Sequence, residues 1–255
     1  MRPVKIFSVI LAMAAVVLDD LRAGEVSVTL TPSVVSQYMF RGVRAGGLAF
    51  QPTLELSSEN FGVGVWASTF FKDRMSGDSD PEIDPYAYYT FKINEHLSLT
   101  PGFSVYTYPD ADESEGYFKS TFEPYLGLNY TIGGVTLAPK IYYDTVQKGA
   151  TYELNSSYSV PLTAQKTSLD FAFTIGTYSW KNSVKGETPE LKNRGDYVQI
   201  GVSSPFQIAE NLTLTAGVAY HRGFNNRYES AGSPTERNPD AVGRWVVSLS
   251  CASSF

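Results

Sequence analysis

Charged residues recur along this chain at the polar positions of otherwise apolar stretches. Arg41, Glu55, Glu82, Asp84, Lys119, Glu123, Lys140, Asp144, Glu153, Asp170 and Arg244 all share this placement. Such groups need make no bonds to have a function. Gathered on one face around an open lumen, they attract or repel ions at short range. Carboxylates outnumber bases among them, so an open lumen favours cations. The competing reading is that they pair across the interior and plug it. Bond-making chemistry has little support. The chain holds 2 histidines: His96 falls in a short turn, and His221, at the rim, has no serine placed beside it. There is no Gly-x-Ser-x-Gly elbow, phosphate loop, CxxC pair or basic-aromatic nucleic-acid signature. No enzyme activity and no cofactor are expected. The run Asp78-Ser79-Asp80-x-Glu82-x-Asp84 is acidic but lacks the glycine and closing glutamate of a calcium loop, so no metal is assigned.

The elements that position these charges are strands. Residues 243–255 alternate, with Trp245, Val247, Leu249 and Cys251 on one face and Arg244, Ser248, Ser250 and Ser254 on the other. A period of two marks a half-buried strand. A last strand with an apolar face is an aggregation hazard unless it pairs with the first and closes a barrel. The same alternation runs through 26–40, 50–57, 61–71 and 82–91. It recurs near 97–108, 117–128, 135–144, 151–161, 167–178, 196–204 and 212–221. That makes about 12 strands, each near the roughly 9–11 residues that cross a bilayer at a tilt. Connectors alternate as well. Those at 58–60, 92–96, 129–134, 162–166 and 205–211 are short. Those at 42–47, 72–81, 109–116, 145–150, 179–195 and 222–240 are longer or more charged. Short turns on the periplasmic side and long loops outside are the rule for outer-membrane barrels. The outer loops split in charge, acids at Asp73, Asp78, Asp80, Asp110, Asp112, Glu113 and Glu115 facing bases at Lys181, Lys185, Lys192, Arg194, Arg222 and Arg227. They either set a transverse field or simply hydrate the mouth.

Composition agrees with this fold class. Residues 1–23 read as a secretory signal, with Arg2 and Lys5 before an apolar run at 6–18 that is too short for a membrane helix. Residues 24–255 read as one domain. They contain no apolar run long enough for a spanning helix, yet the 255-residue chain carries 17 tyrosines and 15 phenylalanines. Its 1 cysteine excludes an intrachain disulfide. A net charge of −6 gives no basic surface for nucleic acid. Aromatics on the apolar face gather near strand ends, with Tyr38, Phe40, Phe50 and Phe71 at one rim and Phe61, Tyr89, Phe91 and Phe255 at the other. That is the pattern of interfacial girdles. A soluble β-sandwich would show the same alternation, and it remains the structural alternative. Pro32, Pro52, Pro85, Pro101, Pro124 and Pro139 sit within the strands on the apolar face. A closed barrel has no edge to hold them, so they are expected at bulges or strand ends.

The residues Tyr38-Met39-Phe40-Arg41-Gly42, Gly64-Val65-Trp66-Ala67-Ser68 and Glu82-Ile83-Asp84-x-Tyr86 carry a family resemblance, as does the stretch from Arg244 to Phe255. The chain resembles the TorF-like family of outer-membrane porins, most specifically over 26–90 and in the last strand. The resemblance implies a closed antiparallel transmembrane β-barrel acting as a pore in the outer membrane, and it says little about cargo. One departure is the final tripeptide, where Ala252, Ser253 and Ser254 replace the family's usual basic residue and threonine before Phe255. The expected function is passive diffusion of small polar solutes or ions, with a mild preference for cations. The alternative is a non-conducting barrel whose loops bind a surface partner. The expected partners are outer-membrane lipid and the barrel-assembly machinery, which would read Trp245, Val247, Leu249 and Phe255.

Overall fold

The alternating runs pair edge to edge until the last meets the first. The computed structural model describes residues 26–73, 80–181, 185–186, 191–230 and 235–255. The expected signal segment 1–23 and the acidic Asp78 lie outside the described residues. The fold is all-β, a closed antiparallel barrel of 12 strands. These are β1 (Ser27–Thr31 and Ser33–Val35), β2 (Ala49–Phe50 and Thr53–Ser57), β3 (Phe61–Phe70), β4 (Glu82–Tyr89, resuming at Phe91–Lys92), β5 (Leu97–Thr107) and β6 (Ser120–Ile132). They continue as β7 (Val135–Asp144), β8 (Gly149–Leu162), β9 (Thr167–Trp180), β10 (Lys192–Ala209), β11 (Leu212–Glu229) and β12 (Arg244–Ser254). Closure runs through β12. It pairs with β11 from Leu212↔Ser253 to His221↔Arg244, and with β1 from Ser33↔Ser250 to Val35↔Ser248 and at Thr29↔Ser254. Val28 and Phe255 exchange backbone hydrogen bonds at 3.2 and 2.9 Å and seal this end. Among the described residues, none of the 12 wall strands is left as an open edge.

The period of two then decides the solvent. Val63, Val65, Ile83, Phe122, Leu126, Ile141, Leu154, Phe173, Ile175, Val218, Trp245, Val247 and Leu249 are all exposed on the outside of the cylinder. Their neighbours in sequence point inward, among them the buried Glu82, Asp84, Thr121 and Glu123. A sandwich would bury the first set. Here they form a continuous apolar belt that water cannot accommodate and lipid can. This is a transmembrane-type β-barrel, and the sandwich alternative falls.

The prolines behave differently from expectation. Pro32 and Pro52 do break β1 and β2 into two segments each. Pro85, Pro101, Pro124 and Pro139 lie inside strands, with no bulge. Each keeps register with one neighbour, as in Val65↔Pro85, Pro101↔Leu126, Phe103↔Pro124 and Pro139↔Leu154. On its other side the ladder stops or skips. The β4–β5 seam ends at Tyr86↔Ser104 beside Pro85 and skips from Tyr88↔Gly102 to Phe91↔Leu99 around Pro101. The β6–β7 seam ends at Tyr125↔Tyr142 beside Pro124 and skips from Gly127↔Lys140 to Tyr130↔Leu137 around Pro139. A strand residue sends its N–H to one side only, so a missing donor costs one seam and spares the other.

Strand ends also differ. β10 and β11 are 18 residues each, so Lys192, Arg194, Arg222 and Arg227 belong to strands and not to loops. The turn between β6 and β7 shrinks to Gly133 and Gly134, both with positive φ. The largest correction concerns the first strand. It does not run to residue 40, and 42–47 is not an outer loop. After Val35 the chain turns inward and forms a hairpin, Tyr38–Phe40 paired with Val43–Gly46, that is separate from the barrel sheet.

Candidate functional site: the barrel interior

The inner hairpin turns on Arg41 and Gly42, with φ of 49° and 77°. Two positive φ values between the paired Phe40 and Val43 make a type I′ connection, the turn whose twist suits a tight hairpin. Glycine is required here for space as well. A Cβ on Gly42 would stand 2.5 Å from Tyr197 Cβ and 2.7 Å from Gly223 Cα, on β10 and β11. The tip therefore rests directly on the barrel wall.

From that tip Arg41 reaches β6. Its Nη1 and Nη2 donate to Glu123 Oε2 and Oε1 at 2.8 and 2.6 Å. The two side chains are 6% and 1% exposed. The guanidinium carbon also lies 4.8, 5.0 and 5.7 Å from the ring centroids of Phe40, Tyr142 and Trp180. A bidentate pair with aromatic faces around it is a geometry that only arginine satisfies. The flanks of the hairpin pack too, Tyr38 against Trp66 and Phe70 and Phe40 edge-on to Tyr106. Tyr38 and Phe40, expected among the aromatics of the lipid-facing rim, are thus inside the lumen.

The remaining charged residues fall into three groups. Several are held by tyrosine hydroxyls. Tyr86 and Tyr88 donate to Glu55 at 2.6 and 3.3 Å. Tyr108 donates to Glu82 at 2.8 Å, and Tyr106 to Glu123 at 3.0 Å. Tyr142 and Tyr197 each donate to Glu153 at 2.6 Å. Others answer local backbone or hydroxyl groups. Asp84 accepts from the Thr107 amide at 3.1 Å, where the β4–β5 ladder has ended. Asp144 accepts from the Val146 and Gln147 amides and caps the β7–β8 turn. Asp170 accepts from Ser159 and Ser168 near the end that carries the termini. Lys140 stands over the Tyr125 ring at 5.3 Å. The last group is at the mouth. Lys119 is exposed in the connector before β6, and Arg244 is exposed where β12 begins, bonded to the Gly243 carbonyl at 3.1 Å.

Sequence reasoning thus placed most of the inward charges on the inner face. It missed the tyrosine partners and the hairpin that joins Arg41 to Glu123. A signal for the partners existed. Inward glycines on one strand stand opposite inward tyrosines on the next, as with Gly64↔Tyr86. A Cβ on Gly64 would be 2.6 Å from the Tyr86 hydroxyl oxygen, so glycine lets the ring lie flat on the wall. His221, expected at the rim, lies inside the long β11 opposite Gln199 and Arg244. The charge split of the outer loops is partly cancelled by contact. Lys185 pairs with Glu113, and its amide donates to the Gly116 carbonyl at 2.7 Å.

The hairpin divides the interior without filling it. One cavity of about 200 Å³ lies beside Tyr38, Phe40, Glu82, Tyr108 and Phe118. A second of about 360 Å³ is lined by Arg41, Tyr106, Tyr142, Glu153, Gln199 and His221.

Comparison with known proteins bears on this geometry. Residues 21–185 match the model of a bacterial protein family of unknown function, Gcw_chp. The chain belongs to this family. No curated protein matches this Gcw_chp member. Solved structures do. The NanC porin superposes with a TM-score of 0.52 at 10% identity, over 89% of this chain and 98% of that one. The KdgM porin superposes at 0.52 and 14% identity, over 89% and 99%. At these identities the likeness is one of fold. The fold of this Gcw_chp member is that of outer-membrane porins.

Proposed function

We propose that the protein is an outer-membrane channel for passive diffusion of small polar solutes and ions, with the inner hairpin as its constriction and a preference for cations. The observation that carries this reading is a lumen lined with carboxylates and tyrosines that the hairpin narrows but does not fill. Glu55, Glu82, Asp84, Asp144, Glu153 and Asp170 are matched by few inward bases. Arg41 is already committed to Glu123. One porin of this fold was solved with oligogalacturonate, a polyanion by its chemistry. The lining here repels such a solute and attracts its opposite. The TorF-like resemblance of residues 26–90 and of the last strand supports a pore as well. Trp245, Val247, Leu249 and Phe255 present an exposed apolar face on the closing strand, which suits both lipid and a role as the signal for the assembly machinery.

The test is a planar-bilayer recording of the refolded protein beside a variant in which residues 38–46 are replaced by a two-residue turn. Discrete steps that grow severalfold in the variant, with a reversal potential of cation sign under a KCl gradient, are the expected result. Equal step sizes would remove the hairpin from the conduction path.

A second reading has an observation of its own. The Arg44 amide donates to the Asp240 carbonyl at 2.9 Å and its guanidinium lies 3.6 Å from Asp73, which ties the hairpin to two outer connectors, and the Lys185–Glu113 contact joins two more. A non-conducting barrel that binds a surface partner through those connectors would give silence from a folded, inserted wild type and steps only from the variant.

A further inference from the structure

The larger interior cavity offers more than a passage. At about 360 Å³ it sits at the low end of the roughly 300–1,000 Å³ range of small-molecule sites. Its polar groups converge, and each keeps some hydrogen-bonding capacity. Gln199 and His221 point inward from β10 and β11 and have no side-chain partner among the described residues. Asn155 uses its Oδ1 to accept from Thr174 at 2.7 Å, which leaves its amide nitrogen as a donor. Glu153 is fixed by one tyrosine hydroxyl on each oxygen, and each oxygen keeps a further lone pair. The walls between these groups are the rings of Phe40, Tyr106, Tyr142 and Tyr197. The hairpin tip at Arg41 and Gly42 closes one side.

From this arrangement we infer that the chamber is a binding site for a neutral polyhydroxylated solute of sugar size. A hydroxyl both donates and accepts, and the carboxamides of Asn155 and Gln199 and the imidazole of His221 match that dual character. Aromatic faces take the C–H surface of a pyranose ring as apolar area. Net charge sets the limit on the ligand. Glu123 neutralises the charge of Arg41, so an anionic sugar finds no uncompensated cation in the lining, and Glu153 opposes it. This inference rests on the channel reading for its place on a transport path, but the site itself does not require conduction.

The experiment separates the two. Refolded full-length protein in detergent is titrated calorimetrically with glucose, maltose and galacturonate. Wild type and the variants Asn155→Ala and Gln199→Ala are compared after heat-modifiable migration shows each to be folded. Saturable binding of a neutral sugar, weakened about tenfold or more in either variant and absent for galacturonate, is the expected result. Linear heats for both neutral sugars, equal affinity in the variants, or galacturonate bound as well as glucose would each overturn the site. The same sugars added to a bilayer recording then report on the channel. Binding without conductance would retire the channel and leave the site standing. Steady conductance without binding or sugar-induced interruption would do the reverse.

Discussion

At the scale of single residues the interior is governed by one buried ion pair and a set of tyrosine–carboxylate bonds. Arg41 is nearly closed off from solvent, so its charge is tolerated only because Glu123 meets both guanidinium nitrogens. Removing one member of such a pair costs about 3–5 kcal/mol, because the other is left buried and uncompensated. Glu123→Gln is therefore expected to lower unfolding stability by about 3 kcal/mol, read from denaturant titration of tryptophan fluorescence. The double variant Arg41→Gln with Glu123→Gln should recover more than half of that loss. A double variant no better than the single one would show that the pair does not act as a unit. Conductance supplies a second readout, since a freed hairpin should widen the passage in both variants.

Individual elements depart from ideality in ways that can be measured. The hairpin and the barrel wall meet at Gly42 with no room for a methyl group. Gly42→Ala should displace the hairpin and leave the wall in place, because the β10–β11 ladder that holds Tyr197↔Gly223 runs without a break from Asp196↔Phe224 to Gln207↔Thr213. The expected outcome is larger single-channel steps with nearly unchanged heat-modifiable migration. The prolines make a different prediction. The β4–β5 and β6–β7 seams are interrupted, whereas β8–β9 runs unbroken from Ala150↔Ser179 to Leu162↔Thr167. Local opening follows local hydrogen bonding. Amide exchange in detergent should be faster at 99–104 and 137–142 than at 151–160. Uniform protection around the barrel would mean that the gaps carry no energetic weight. The proline positions were legible in the sequence, and their consequence was not. A one-sided gap is visible only when the neighbour on each side is known.

For the whole molecule, the lining charge acts as a field and not as separate contacts. Glu55 on β2 and Glu153 on β8 each accept from two tyrosine hydroxyls and have no ion-pair partner among the described residues. Replacing both with glutamine should reduce the potassium-to-chloride permeability ratio by about twofold. The wild-type preference should itself shrink as KCl is raised, because the screening length falls from ~10 Å at 0.1 M to ~3 Å at 1 M. A ratio indifferent to salt and to both substitutions would place selectivity elsewhere, at the loops or at Arg41.

The amino-acid pattern alone was enough for the class of fold, the approximate number of strands and the face on which most residues lie. Those properties follow from a local period of two, which any stretch such as 61–71 or 243–255 carries within itself. It also placed Glu55, Glu82, Asp84, Glu123 and Glu153 on the inner face. It misread Tyr38 and Phe40, because apolar residues that continue an alternation look alike whether they meet lipid or the inside of a lumen. The folded molecule was needed to show that residues 38–46 fold inward, that Arg41 meets Glu123 across 82 positions of sequence, and that tyrosines one or two strands away hold the carboxylates. Closure is the cause. Once β12 joins β1, the inner face becomes an enclosed space in which distant residues are neighbours, and what fills that space is set by contacts that no local pattern encodes.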